Sequence, residues 1–147
     1  MNENKTIKER EEEIVEEFSL FDTWEEKYEY IIDLGKKLEP LDDKYKVPGN
    51  IIKGCQSTVW LTSEFKDGKI YYKADSDAVI VKGLISMLIK VLSGNTPDEI
   101  LGAKLDFLKD IGMMSHLAQT RSNGLLSMIK QIKNYALAYK STDAIVK

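Results

Sequence analysis

Cysteine and histidine are almost missing from this sequence, with one of each among 147 residues. A single cysteine excludes an intramolecular disulfide, an all-cysteine zinc site and an iron–sulfur cluster held wholly by one chain's own thiols. Proline is scarce too. Its three copies, at 40, 48 and 97, are dispersed, and no repeat or low-complexity stretch marks a boundary, so one domain over residues 1–147 is expected. Long apolar runs are also lacking. The most apolar segment, residues 78–92, is broken by Lys82 and Lys90 and falls short of the roughly 20 residues that span a bilayer. The opening 13 residues are polar and charged, without the apolar stretch of a secretory signal. A soluble, cytoplasmic protein is expected, with no membrane partner. Finally, no excess of basic charge is present. The 24 acidic and 21 basic side chains give a net charge of −3, and residues 1–30 alone carry 11 acids against 4 bases. That balance lacks the basic field a nucleic-acid binder needs. The acidic head either faces a basic partner or keeps the chain soluble.

What is present suits an ordinary core. Hydrophobic residues make up 43% of the chain, and a domain of this length buries about 70% of its unfolded surface. Three helix starts show the capping-box spacing: Thr6 with Glu9, Thr23 with Glu26, and Thr96 with Glu99, the last followed by Pro97 at the first helical position. The first helix should cover residues 6–17 with a thin stripe of Ile7, Ile14 and Val15. The second should cover residues 24–38, with Trp24, Tyr28, Ile31, Gly35 and Leu38 along one side. The period then changes to two. Val59, Leu61 and Phe65 alternate with Thr58, Trp60, Thr62 and Glu64, and Ile70, Tyr72 and Ala74 alternate with Lys69, Tyr71 and Lys73. Asp67 and Gly68 between the two runs predict a tight antiparallel hairpin. A short third strand is expected at residues 50–53. Ser76 or Asp77 should cap a buried helix ending near Leu92. A last helix, residues 122–139, presents Leu125, Met128, Ile129, Ile132, Ala136 and Tyr139 on one side. Helices before and after a small antiparallel sheet of two to three strands give an α+β fold.

The lone thiol, Cys55, falls after a Pro/Gly loop and just before the first long strand, with Gly54 ahead of it and Gln56 and Ser57 behind. A loop anchored by a strand is how a scaffold presents a reactive group, although free cysteine is also among the most buried residue types. A reactive Cys55 wants a cation or a helix N-terminus beside it, because only a few per cent of an ordinary thiol is thiolate at neutral pH. Lys53 is near in sequence, and Arg121 stands at the start of the last helix, where the helix dipole disfavours a cation unless an anion lies close. His116, the only imidazole, is the one candidate for a cysteine–histidine pair; a structural or capping role is its alternative.

The segment Gly54, Cys55, Gln56, Ser57, Thr58, Val59, Trp60 resembles the GCQSxVW signature of the SufE family. Residues 24–35, 75–84 and 115–125 are similar to further blocks of that family in the same order, so that the resemblance covers roughly residues 20–140. It implies a small α+β domain like that of IscU-type scaffolds, acting as a sulfur acceptor in iron–sulfur cluster assembly. The partners implied are a pyridoxal-phosphate cysteine desulfurase, which gives up persulfide sulfur, and an assembly scaffold, which receives it. The chain itself would need no cofactor and no metal, and its role would be sulfurtransferase-like exchange rather than independent turnover. Cys55 is then the persulfide-bearing nucleophile, with Gly54, Gln56 and Ser57 shaping its loop. Arg121 would dock the partner or stabilise anionic sulfur. Asp77 matches a position tied to the cysteine loop and partner recognition, with helix capping as its plainer role. His116 matches without an assigned role. Ala118, Gln119 and Thr120 depart from the Thr-Pro-Ser of the family pattern. Two other readings stand beside the relay: a non-covalent adaptor that activates a desulfurase, and an independent Cys55–His116 hydrolase or peroxidase. Monomer and homodimer both remain open. A resting thiol tucked among apolar neighbours, Ile51, Ile52 and Val59, is expected, since such a site would protect a persulfide.

Overall fold

The computed structural model describes the backbone of residues 4–146 and the side chains of residues 4–142. Its elements run α1 (Ile7–Ser19), α2 (Trp24–Lys36), β1 (Val59–Lys66), β2 (Lys69–Ser76), α3 (Val79–Leu92), α4 (Pro97–Gly102), α5 (Phe107–Asp110), α6 (Met113–His116) and α7 (Gln119–Val146). The α+β class holds: among the described residues, seven α-helices surround one two-stranded antiparallel sheet.

Local chemistry starts these elements where the pattern places them. All three capping boxes form, with Thr6, Thr23 and Thr96 each accepting from the backbone N–H three residues on while the glutamate there reaches back. Each such cap is worth about 1 kcal/mol. The hairpin turn forms at Asp67 and Gly68, both with positive φ (52° and 79°), the geometry that lets a two-residue turn follow the right-handed strand twist. The register pairs Val59 with Ser76 through Lys66 with Lys69. Val59, Leu61, Ile70, Tyr72 and Ala74 are buried on one face as the alternation requires.

Helix α3 is the central element. Val81, the run from Gly83 to Leu88, Val91 and Leu92 are all buried, so it is covered on nearly every side. Its closest neighbour is α2. A Cβ placed on Gly83 would lie 2.2 Å from the Ile31 carbonyl oxygen, and one on Gly35 would lie 2.9 Å from the Gly83 nitrogen. The two glycines let the helix backbones meet, and dispersion contacts between them offset the about 1 kcal/mol a helical glycine costs. Polar ties hold the layers in register. Arg10, buried in α1, donates to the Val91 and Ser93 carbonyls at 3.1 and 2.7 Å. Tyr72 donates from β2 to the Ile132 carbonyl of α7 at 2.7 Å, and Tyr135 donates from α7 to the Leu61 carbonyl of β1 at 3.0 Å.

Four sequence expectations need correction. The third strand is reduced to one bridge, Ile51 with Trp60, because residues 48–50 wind into a 3-10 turn instead of extending. Helix α2 ends at Lys36, not Leu38: Lys37 is the C-cap, and the Leu38 N–H turns to the Gly35 carbonyl at 3.2 Å instead of continuing the helical ladder. Neither Ser76 nor Asp77 caps α3. Ala78 holds the N-cap position without a side-chain bond. Helix α7 begins at Gln119, three residues early, as the Ala118 carbonyl accepts from both Arg121 and Ser122. The short helices α5 and α6 had no periodic signature long enough to read.

Candidate functional site

Cys55 sits on a loop closed at its neck. The Ile52 N–H donates to the Val59 carbonyl at 2.9 Å, which brings the two ends of residues 52–59 together. At the far end Thr58 is held from both sides. Its N–H donates to the Asp77 carboxylate at 3.1 Å, and its carbonyl accepts from the Ser76 hydroxyl at 2.8 Å and the Asp77 N–H at 3.3 Å. Asp77 is therefore a tie between the cysteine loop and the end of the hairpin. Gly54 supplies the bend ahead of the thiol with φ +94°, a conformation that side chains disfavour. It also packs on α7, where a Cβ at Gly54 would strike the Ser127 hydroxyl oxygen at 2.4 Å.

The loop delivers Cys55 into a small cavity of about 150 Å³ lined by Cys55, Gln56, Ser57, Val81, Arg121 and Met128, with Ala118, Thr120 and Gly124 completing the wall. Thr120, Gly124 and Met128 recur every four residues and so share one face of α7, with Arg121 beside them in its first turn. Val81 closes the cavity from α3. The thiol is partly buried and donates to the Gly124 carbonyl at 3.6 Å. Burial pushes its pKa above the ordinary cysteine value, because a low-dielectric surrounding disfavours the thiolate. In this conformation the sulfur is a half-buried thiol whose ionisation burial opposes. Arg121, an exposed residue, and Thr120 line the cavity from the first turn of α7, while burial is the one cause of the resting thiol's shift.

Of the residues singled out from sequence, the structure brings together Cys55, Gln56, Ser57 and Arg121 at the cavity, with Gly54 just outside and Asp77 holding the loop. His116 is elsewhere. Its ring stacks on Trp24 at 3.8 Å with planes 4° apart and leans on Tyr28 at 5.7 Å, and it is not among the residues lining the cavity. Of the expected apolar neighbours, Ile51 is exposed; Ile52 and Val59 are buried in the core that Cys55 packs against, and Val81 and Met128 line the cavity itself. Val81, Gly124 and Met128 escaped the sequence reading because their proximity to Cys55 is made by tertiary packing. The one available signal was Gly124, a glycine inside a helical pattern, which usually has a packing or functional reason. Among the described residues, no group of three or more histidine, cysteine or acidic side chains is placed to hold a metal ion, and no helix is long and apolar enough to cross a membrane.

Comparison with known proteins agrees with the resemblance read from the motifs. Residues 12–136 match the SufE family, described as an Fe-S metabolism associated domain. An uncharacterized SufE-like protein of Synechocystis is 37% identical over 137 residues, covering 93% of this chain and 86% of that protein. An uncharacterized SufE-like protein of Rhizobium meliloti is 37% identical over 130 residues, covering 85% of this chain and 93% of its own length. The fold is similar to the solution structure of a hypothetical protein from Thermus thermophilus, with a TM-score of 0.73 at 18% identity over 90% of this chain and 96% of that one.

Proposed function

This chain belongs to the SufE family, whose domain is associated with Fe-S metabolism, and from that premise we propose that it is a sulfur acceptor that takes persulfide sulfur onto Cys55. The donor is a pyridoxal-phosphate cysteine desulfurase carrying sulfur on its own cysteine, and the receiver is an iron–sulfur assembly scaffold. The observation that carries this reading is the setting of the thiol: the chain's one cysteine, on a pinned loop, points into a cavity walled by Arg121 and the first turn of α7.

The exchange balances without an electron carrier. The Cys55 thiolate attacks the outer sulfur of the donor persulfide, the donor's S–S bond breaks, a new S–S bond forms on Cys55, and the donor cysteine leaves as thiolate. Sulfur changes hands with no net oxidation. The chain contributes three things. Cys55 is the nucleophile. Arg121 and the α7 N-terminus stabilise negative charge on the transferred sulfur. The cavity excludes reductants and other thiols from the loaded state. Burial disfavours the Cys55 thiolate in the resting conformation, so on this reading the loop carries Cys55 outward when the partner docks. The absence of a second cysteine fits this role, since a resolving thiol would discharge the persulfide as a disulfide.

A rate assay with a cysteine desulfurase and free cysteine separates relay from adaptor. The protein should accelerate sulfur release from cysteine, and Cys55→Ser should abolish the acceleration. Stimulation that survives Cys55→Ser would replace the relay with a non-covalent activator.

A further inference from the structure

Gly124 lies within the second turn of α7, where glycine weakens a helix relative to alanine. Nothing in the backbone asks for it. Its φ is not in the left-handed region, and no second helix crosses at that point as α3 crosses α2 at Gly83. A Cβ built on Gly124 would find its three nearest neighbours all in Cys55: Sγ at 3.5 Å, Cβ at 3.9 Å and Cα at 4.0 Å. Those are ordinary van der Waals distances, so an alanine would sit beside the reduced thiol without strain. What it would take away is space. Gly124 is a wall of the 150 Å³ cavity, next to the sulfur, and its carbonyl receives the thiol proton.

A persulfide places its outer sulfur about 2.05 Å from Sγ, so the added atom must be accommodated within the same cavity. We propose that Gly124 is a positioning residue for sulfur transfer: its missing side chain leaves, beside the Cys55 thiol, the space that shelters the outer sulfur of the Cys55 persulfide. This rests on the acceptor reading above. Once Sγ is bonded to a second sulfur it has no proton to give, the contact to the Gly124 carbonyl ends, and the outer sulfur occupies the cavity among Gly124, Val81, Met128 and Arg121. The methyl carbon would stand 3.5 Å from Sγ, so it competes locally for the position beside the thiol that the outer sulfur takes.

The test uses the full-length protein loaded with inorganic polysulfide, which passes a sulfane sulfur to the thiolate and leaves as a shorter polysulfide, so that no partner is involved. Persulfide lifetime against dithiothreitol is followed by intact mass for the wild type, Gly124→Ala, and Gly124→Ala combined with Val81→Ala, which trims the facing wall. Melting temperature and thiol alkylation rate are read on the same samples. Gly124→Ala should melt at or above the wild-type temperature and alkylate as a thiol at a similar rate, yet lose its persulfide roughly tenfold faster. The added Val81→Ala should lengthen that lifetime again. Equal lifetimes in wild type and Gly124→Ala overturn the proposal, as does a shortening that Val81→Ala leaves unchanged. A wild-type protein that takes up no sulfur would instead overturn the acceptor reading itself.

Discussion

Asp77 and Thr58 are joined by two hydrogen bonds running in opposite directions, backbone N–H to carboxylate at 3.1 Å and backbone N–H to carbonyl at 3.3 Å. They close the cysteine loop onto the strand that leads into α3. Removing the carboxylate leaves the Thr58 amide to water and should loosen the loop more than it unfolds the protein. Asp77→Ala is expected to cost about 0.5–1.5 kcal/mol and to speed hydrogen exchange of the Thr58 amide. Asp77→Asn, which keeps an acceptor oxygen, should retain most of the protection. Unchanged Thr58 exchange in Asp77→Ala would show that the tie does not hold the loop.

Gly54 meets two demands at once, a φ of +94° and contact with Ser127. Gly54→Ala should therefore distort the loop by about 1–3 kcal/mol and release the thiol from its cavity. The check is alkylation of Cys55 by iodoacetamide at fixed pH, where Gly54→Ala should react faster than wild type. Equal rates would mean the bend does not set the position of the thiol.

The pH dependence of Cys55 has a definite sign. Burial raises the folded thiol's pKa above the ordinary value of 9.0, so folding favours the protonated form. The stability this contributes is complete below the unfolded thiol's pKa and declines as pH rises through the folded one. The alkylation midpoint of the native protein should lie above that of the urea-unfolded chain, and Cys55→Ala should remove this part of the alkaline loss of stability. A native midpoint below the unfolded one would place a cation at the resting thiol instead.

Arg10 gives the fold its own test. Its buried guanidinium serves two carbonyls at the C-terminal end of α3, where a cation suits the helix dipole. Arg10→Met, which keeps the stem but not the donors, should lower stability by about 2–4 kcal/mol in urea titration. A loss well under 1 kcal/mol would mean the stem's packing, and not its hydrogen bonds, anchors α1.

The parts legible in the sequence are those set by neighbours a few residues apart. Thr6 with Glu9 and Asp67 with Gly68 state their geometry locally, and the two-residue period of Val59, Leu61, Ile70 and Tyr72 names the buried face. The site was legible only in its loop. Cys55 and Gly124 are 69 residues apart, and no local pattern tells which face of α7 will meet the thiol. His116 shows the same limit in reverse: an imidazole that could have paired with Cys55 instead stacks on Trp24, 92 positions earlier in the chain, a contact that only the packing of α6 against α2 creates.

The most direct measurement is intact-mass and peptide mass spectrometry of the protein after incubation with a cysteine desulfurase and free cysteine. A sulfur acceptor should gain one sulfur atom, on the peptide containing Cys55, and lose it on addition of reductant, with no gain in Cys55→Ser. No added sulfur on Cys55, or equal sulfur on the Cys55→Ser protein, would contradict transfer through this thiol.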